Sequence, residues 1–203
     1  MRGPQTRREI VGAADRLFYE AGFAHTSFAD IASSVHISRG NFYYHFKSKD
    51  EILRAVIAHR QDSTRALLAA WDHAHPAARD RLSAFVRILS DNGEQIMLHG
   101  CPVGSLATEL AKLMHESRED AVAVFSLFRD WLASQFSALG RAEDAEALAL
   151  HLLMRSQGVA TLFTAYRDKA LLAREMAAME RWIDGAVSGE PSCQIGEDNR
   201  TCI

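Results

Sequence analysis

Three capping serines constrain the N-terminal third of this chain more than any other feature. Ser27 stands three residues before Asp30, close to a capping box with Asp in place of Glu or Gln; Ser38 caps the next segment; Ser48 has Glu51 as its partner. A side-chain oxygen at such a position satisfies one of the N–H groups that a helix start leaves unpaired. The caps predict two short helices, Phe28 to Ser34 and Arg39 to His45, joined by the tight connection Val35-His36-Ile37. A long helix then runs from Lys49 to about Asp72, with Ile52, Leu53, Val56, Ile57, Leu67, Leu68 and Trp71 on its inner side. A helix from Gln5 to Ala21 precedes them, with Ile10, Ala13, Ala14, Leu17 and Phe18 at helical spacing and Gly22 as its stop. Two short helices joined by three or four residues make a helix-turn-helix.

The second short helix has an unusual surface. It carries Arg39, Gly40, Asn41, Tyr43, Tyr44 and His45, flanked by Lys47 and Lys49. A glycine inside a helix costs roughly 1 kcal/mol relative to alanine, and two adjacent tyrosines and a histidine cannot all point inward on one turn. The economical reading is a helix whose backbone approaches a partner closely at Gly40, with polar side chains meeting phosphates and base edges in a major groove. Phe42 and Phe46 would pack back onto the preceding helices. The plainer alternative is an amphipathic hairpin with exposed tyrosines.

The stretch TSFADIASSVHISRGNFYYHFKSKDEIL resembles the DNA-binding signature of the TetR family of transcriptional regulators. Thr26, Ser27, Ile31, Ala32, Ile37, Ser38, Gly40, Phe42, Tyr43, His45, Phe46, Ser48, Lys49 and Leu53 fill that pattern, over a match covering roughly residues 5–65. His36 departs from it, standing where the family usually has glycine; the backbone there is expected to need a left-handed residue, which His tolerates less well than Gly. The resemblance implies that Thr26, Ser27, Ser38, Tyr43, Tyr44, His45 and Lys49 hold phosphates, with Arg39, Gly40 and Asn41 nearest the bases of double-stranded operator DNA. This agrees with the chemistry: hydroxyls, helix N-termini and lysines position, while Arg and Asn read guanine and adenine. Arg2, Arg7 and Arg8 would follow the backbone or enter a minor groove, or form a solvated terminus.

The rest of the chain points to an all-α protein. Among 203 residues, 32 are alanine and 20 leucine, against 12 glycines and 4 prolines, which disfavours a β-sandwich or barrel. Further helices are expected over about 77–99, 103–114, 116–139, 143–166 and 169–187, giving nine in all. No apolar run approaches the ~20 residues of a membrane span, and the charged N-terminus lacks a signal peptide's apolar centre, so a cytoplasmic protein without membrane partners is expected. Residues 1–60 hold nine Lys/Arg against six Asp/Glu, and residues 61–203 fourteen against twenty. A basic head on an acidic body fits a small nucleic-acid-binding head; the resemblance implies a DNA-binding domain over 5–65, its helix-turn-helix at about 28–47, and a ligand-binding and dimerisation domain over 66–187. Residues 188–203 are expected to be a mobile tail. The resemblance implies a homodimer pairing through the last two long helices. Ala145, Ala149, Ser156, Gly158 and Ala160 would permit close approach there, and Leu152, Phe163, Leu172, Met176, Met179 and Ile183 would supply apolar surface, unless they serve the chain's own core. Two recognition helices would then lie ~34–36 Å apart.

Inside the bundle, Phe85, Leu89, Cys101, Phe125, Phe128, Trp131, Met154, Gln157, Thr161 and Phe163 are the candidate walls of an effector pocket; the alternative for each is plain core. Cys101 stands immediately before a helix that begins at Pro102, with His99 nearby. A helix N-terminus favours the thiolate. The segment from His99 to Leu110 resembles a GC-containing stretch of TetR-type regulators responsive to electrophiles or oxidants, and equally a GCP motif of those responsive to drugs or flavonoids. Cys101 is thus a thiol sensor, a pocket wall, or a small residue at a tight junction. Cys193 and Cys202 are taken as incidental; an odd number of cysteines, three, fits free thiols better than a disulfide framework. His73, His75, His115 and His151 lack metal-ligand spacing, so no metal and no cofactor is expected. No fingerprint of a Ser hydrolase, zinc protease or nucleotide-binding loop is present. The expected function is a sequence-specific DNA-binding regulator, a repressor released by a small effector. A thiol sensor acting through Cys101 is the alternative, and a Cys/His enzyme or a helical interaction module are remote ones.

Overall fold

The computed structural model describes residues 3–188, with Arg39 by its backbone alone. Among the described residues there are ten helices and no strand. They are α1 (Gly3–Ala21), α2 (Phe28–Ser34), α3 (Arg39–His45), α4 (Lys49–Ala74), α5 (Ala78–Asp91), α6 (Gly93–His99), α7 (Pro102–Lys112), α8 (Arg118–Ala138), α9 (Ala145–Tyr166) and α10 (Lys169–Ser188). The tail, with Cys193 and Cys202, lies outside the described residues, as does Arg2. No described helix is long and apolar enough to cross a membrane.

The caps act where the sequence places them. Ser27 Oγ accepts the Asp30 N–H at 3.1 Å while Asp30 Oδ2 accepts the Ser27 N–H at 2.8 Å, a complete capping box. Ser38 Oγ accepts the Asn41 N–H at 3.3 Å, and Ser48 Oγ the Glu51 N–H at 3.1 Å. The Glu51 carboxylate reaches one residue further back than a capping box requires, to the Lys47 N–H at 2.8 Å. His36 has φ 52°, the left-handed conformation expected at that turn.

The helix expected over 77–99 is interrupted. At Asn92 the backbone relaxes to φ −105°, ψ 17° and the Asn92 side chain bonds back to Ile88 O at 3.0 Å. An Asn-Gly pair supplies both a side chain that competes for backbone groups and a residue that tolerates the bend. The last two turns, α6, swing toward α9, with Gly93 beside Phe163 and Leu172.

Two cores form. The bundle core gathers Leu82, Phe85, Leu132, Phe136, Leu152, Phe163, Met179 and Ile183, among others. The head core gathers Ile10, Ala14, Phe18, Ile31, Phe42, Phe46, Ile52, Leu53 and Val56, and is completed by Leu106, Ala107 and Leu110 of α7 and Ala121 of α8. By packing, α7 therefore belongs to the head as much as to the bundle.

Of the two readings of the α9 and α10 stripes, the chain's own core is the one observed. Ala145, Ala149, Leu152, Ser156, Ala160, Phe163, Leu172, Met179 and Ile183 face the chain's own interior and are buried. Their spacing serves the packing of α9 and α10 on α5, α6 and α8. The outer face of α9 instead exposes Leu150, Met154, Leu162 and Tyr166, with Gly158 between them.

Candidate nucleic-acid interface and cavity

The head presents α3 to solvent. Phe42 and Phe46 are fully buried, and Phe28 rests edge-on against Phe42 at 4.6 Å. Asn41 is exposed, Tyr44 is 76 % exposed and Tyr43 44 %, its ring tilted against Phe28 at 5.0 Å. A methyl group at Gly40 would meet nothing within 4 Å. Nothing within the chain, then, requires glycine at this position. The Arg39 side chain lies outside the described residues.

Three residues expected to contact DNA are engaged within the chain. Thr26 is 2 % exposed, and its hydroxyl donates to Gly22 O at 2.8 Å and Leu17 O at 3.3 Å, closing the C-terminal end of α1. Lys49 donates its ammonium to Phe23 O at 2.9 Å and lies 4.1 Å from the centre of the Phe23 ring. Lys47 is exposed and its ammonium donates to Tyr43 O, capping α3. Ser27 and Ser38 are exposed caps, and His45 sits half-buried with its ring 5.2 Å from that of Tyr44. Arg7 lies over the Phe46 ring at 4.6 Å and Arg8 donates to Gln5 at 2.7 Å. Asp30's carboxyl is held below the usual carboxylate range by the hydrogen bond from Ser27.

A cavity of about 650 Å³ lies where head and bundle meet. Phe85, Leu89, Cys101, Phe125, Phe128 and Gln157 line it as expected, joined by Leu67, Ile88, Ile96, Val103 and Leu153. Four expected residues lie off its wall. Trp131 packs on Trp71 at 5.5 Å and donates Nε1–H to Asp72 at 3.0 Å; Met154 is 58 % exposed; Thr161 is exposed and bonds back to Gln157 O at 2.9 Å; Phe163 is closed in the bundle core. Helical spacing puts all four on α8 and α9, but the faces they occupy are fixed by neighbours that spacing does not reveal.

The sequence reading missed the head's share of this wall: Gly12, Asp15, Arg16, Tyr19 and Glu20 of α1, and His59, Arg60, Ser63 and Thr64 of α4. Arg60 joins the elements, pairing with Asp15 at 2.6 Å and donating to Pro102 O at the start of α7. Tyr19 donates to Gly100 O at 2.7 Å. Burial, helped by the neighbouring Cys101 and opposed by Arg60, pushes the Tyr19 phenol up to about 12. Cys101 is the N-cap of α7, its Sγ accepting the Gly104 N–H at 3.5 Å. Among the described residues, no three His, Cys, Asp or Glu side chains stand together as a metal site requires.

Comparison with known proteins decides the family. Residues 10–56 match the family described as bacterial regulatory proteins, tetR family, and residues 77–178 match the domain described as transcriptional regulator LmrA/YxaF-like, C-terminal domain. The chain belongs to the TetR family. Among its relatives is an HTH-type transcriptional regulator of the lacX 3' region of Lactococcus lactis subsp. lactis, 30 % identical over 139 residues, covering 66 % of this chain and 69 % of the relative. Another is the HTH-type transcriptional repressor BepR of Brucella suis, 28 % identical over 151 residues, 66 % of this chain and 72 % of that one. A TetR-family regulator from Cytophaga hutchinsonii superposes with TM-score 0.80 over 91 % of this chain and 96 % of its own, at 19 % identity. The fold is thus that of TetR-family transcriptional regulators, which bind operator DNA and are not enzymes.

Proposed function

We propose that this TetR-family protein is a repressor that binds a palindromic operator as a homodimer through α3 and leaves it when a small effector fills the cavity between head and bundle. The observation carrying the reading is that one cavity takes its wall from both halves: Tyr19 and Arg60 from the head, Phe85, Phe125 and Phe128 from the bundle. A ligand there touches the elements that set the position of α3. The exposed apolar residues of α9, Leu150, Met154, Leu162 and Tyr166, are the surface through which two copies would pair. At the interface, Asn41, Tyr44 and Gly40 would face the groove, with Ser27 and Ser38 toward phosphates. The wall, apolar on the bundle side and carrying Asp15, Arg16, Glu20 and Arg60 with amide and hydroxyl groups elsewhere, suits a drug-sized molecule with polar substituents. DNA and effector then oppose each other reciprocally, typically by 1–3 kcal/mol.

The test is fluorescence anisotropy on the duplex immediately upstream of the protein's own gene. Specific, salt-sensitive binding is expected, together with a screen in which compounds that raise the unfolding temperature also lower operator affinity. A compound that binds tightly and leaves operator affinity unchanged counts against the coupling.

A second reading is favoured by the Cys101 Sγ, which both lines the cavity and sits at the start of α7. In that reading an electrophile alkylating Cys101 releases the operator. N-Ethylmaleimide should then abolish binding by the parent and spare Cys101→Ser, with Cys193→Ser and Cys202→Ser behaving as the parent does.

A further inference from the structure

One carboxylate from the C-terminal part of the chain holds the turn from which α2 and α3 are launched. Glu109, in the third turn of α7, accepts the Phe23 N–H through Oε2 and the Ala24 N–H through Oε1, each at 2.8 Å. Those N–H groups follow Gly22, whose φ of 89° takes the chain out of α1. A side chain at Gly22 would come within 3.1 Å of the same carboxylate, so the glycine serves the clamp as well as the turn. Phe23 O receives the Lys49 ammonium at 2.9 Å, and the Phe23 ring is bounded by that ammonium and, edge-on at 5.2 Å, by His115. Four residues after Phe23, the Ser27 cap begins α2.

At its other end α7 forms part of the cavity wall through Cys101, Pro102 and Val103. An eleven-residue helix is a rod of about 16 Å. The cavity therefore lies at one end of this rod and the launching turn near the other. Leu106 and Leu110 pack the rod onto the head, but apolar packing is non-directional. A carboxylate accepting two consecutive N–H groups is charge-assisted and fixes orientation as well as distance.

We propose that Glu109 is a positioning residue for DNA binding: its carboxylate sets the angle at which α2 and α3 leave α1, and carries a displacement of α7 at the cavity to α3. This rests on the reading of α3 as the DNA-binding helix. Glu109 acts through the backbone of Phe23 and Ala24 and does not touch DNA.

The experiment compares the full-length parent with Glu109→Gln and Glu109→Ala. Gln keeps the length but turns an N–H donor toward one of the two N–H groups; Ala removes both acceptors. Each protein is titrated by anisotropy with the operator duplex and with a scrambled duplex of equal length, at two salt concentrations. Operator affinity is expected to fall about tenfold in Glu109→Ala and less in Glu109→Gln, while scrambled-duplex affinity and the salt slope stay those of the parent, because the phosphate-facing groups are intact. Amide exchange at Phe23 and Ala24 should accelerate while Ile52 and Leu53 in α4 keep their protection. Loss of folded protein would instead weaken both duplexes alike, and that result overturns the proposal. So does a parental ratio of operator to scrambled affinity in both variants. A parent that itself fails to discriminate the duplexes refutes the DNA-binding reading beneath it, and is recognised by a ratio near one in all three proteins.

Discussion

Gly40→Ala separates what the fold needs from what DNA binding needs. Gly40 is the second residue of α3, exposed, with open space where a methyl group would stand. In the free protein the substitution removes glycine's backbone freedom from the unfolded chain and adds no clash. A full interior Gly→Ala exchange is worth roughly 1 kcal/mol, and at the edge of a seven-residue helix about half of that is expected. For a chain of 203 residues this raises the unfolding midpoint by about 1–2 °C. On the operator the sign reverses. If α3 lies in the major groove with Gly40 against the DNA, the methyl group holds the helix off and weakens the contacts of Asn41. Losing one good base contact costs about 1–3 kcal/mol, a factor of roughly 5–150 in affinity. Thermal unfolding and operator anisotropy on the same sample give both numbers. A Gly40→Ala protein that is more stable and binds the operator as tightly as the parent refutes the groove-facing placement of α3. One that is less stable refutes the claim that the space beside Gly40 is empty.

Three further outcomes are expected. Thr26→Val should cost about 0.5–1.5 kcal/mol of stability, because a buried hydroxyl loses its bonds to Gly22 O and Leu17 O; affinity of the folded protein for operator and scrambled duplexes should not change, and an equal weakening on both would show instead that Thr26 meets a phosphate. His36→Gly should raise the unfolding midpoint slightly, since relief of a left-handed conformation worth roughly 1–2 kcal/mol outweighs glycine's added freedom of about 0.5–1; an earlier unfolding transition would contradict the φ of 52° at His36. Asp30, held below the usual carboxylate range by Ser27, contributes stability that is present above its unfolded pKa and is lost as pH falls through its lower folded value. Asp30→Asn should therefore flatten the acid side of the stability profile, and a profile that stays parental in shape rules this out.

The head was legible because its signals are local. A serine three residues before its partner N–H, a glycine stop at Gly22 and a forced left-handed turn at His36 all act within one or two turns of chain. The cavity was legible in part. Phe85, Leu89, Phe125 and Phe128 show as apolar stripes, but Asp15, Tyr19 and Arg60 enter the wall only because α1 and α4 pack across α7. No periodicity within α1 announces that. The same limit applies to Trp131 and Met154, whose helical spacing is compatible with the cavity while their side chains pack on Trp71 or face solvent. Lys49 shows the limit at single-residue scale: a lysine at a helix N-terminus beside a recognition helix suggests a phosphate contact, yet its ammonium is engaged by Phe23 O and the Phe23 ring. The break at Asn92 has its local signal in the Asn-Gly pair, but apolar spacing continues through the pair and masks it.

The placement of α7 explains how a small ligand could move α3 at all. A body joined to its head only through one long helix could bend that helix without informing the head of its angle. Here Leu106, Ala107 and Leu110 complete the head core, so α7 cannot shift without moving the surface on which α1 and α4 rest. The contacts bordering the cavity are few and specific: Tyr19 to Gly100 O, and Arg60 to Asp15 and to Pro102 O. A hydrogen bond to a charged group is worth about 1.5–3 kcal/mol net, which is the size of a typical allosteric coupling energy. On the proposed function, an effector that took over Arg60 as its own partner would need to break only one or two charged contacts to change operator affinity by about ten- to a hundredfold, while the neutral Tyr19 bond, worth about 0.5–1.5 kcal/mol, would contribute less. On the proposed function, the apolar wall would contribute affinity for the ligand, and these polar ties would decide whether its binding is felt at the DNA.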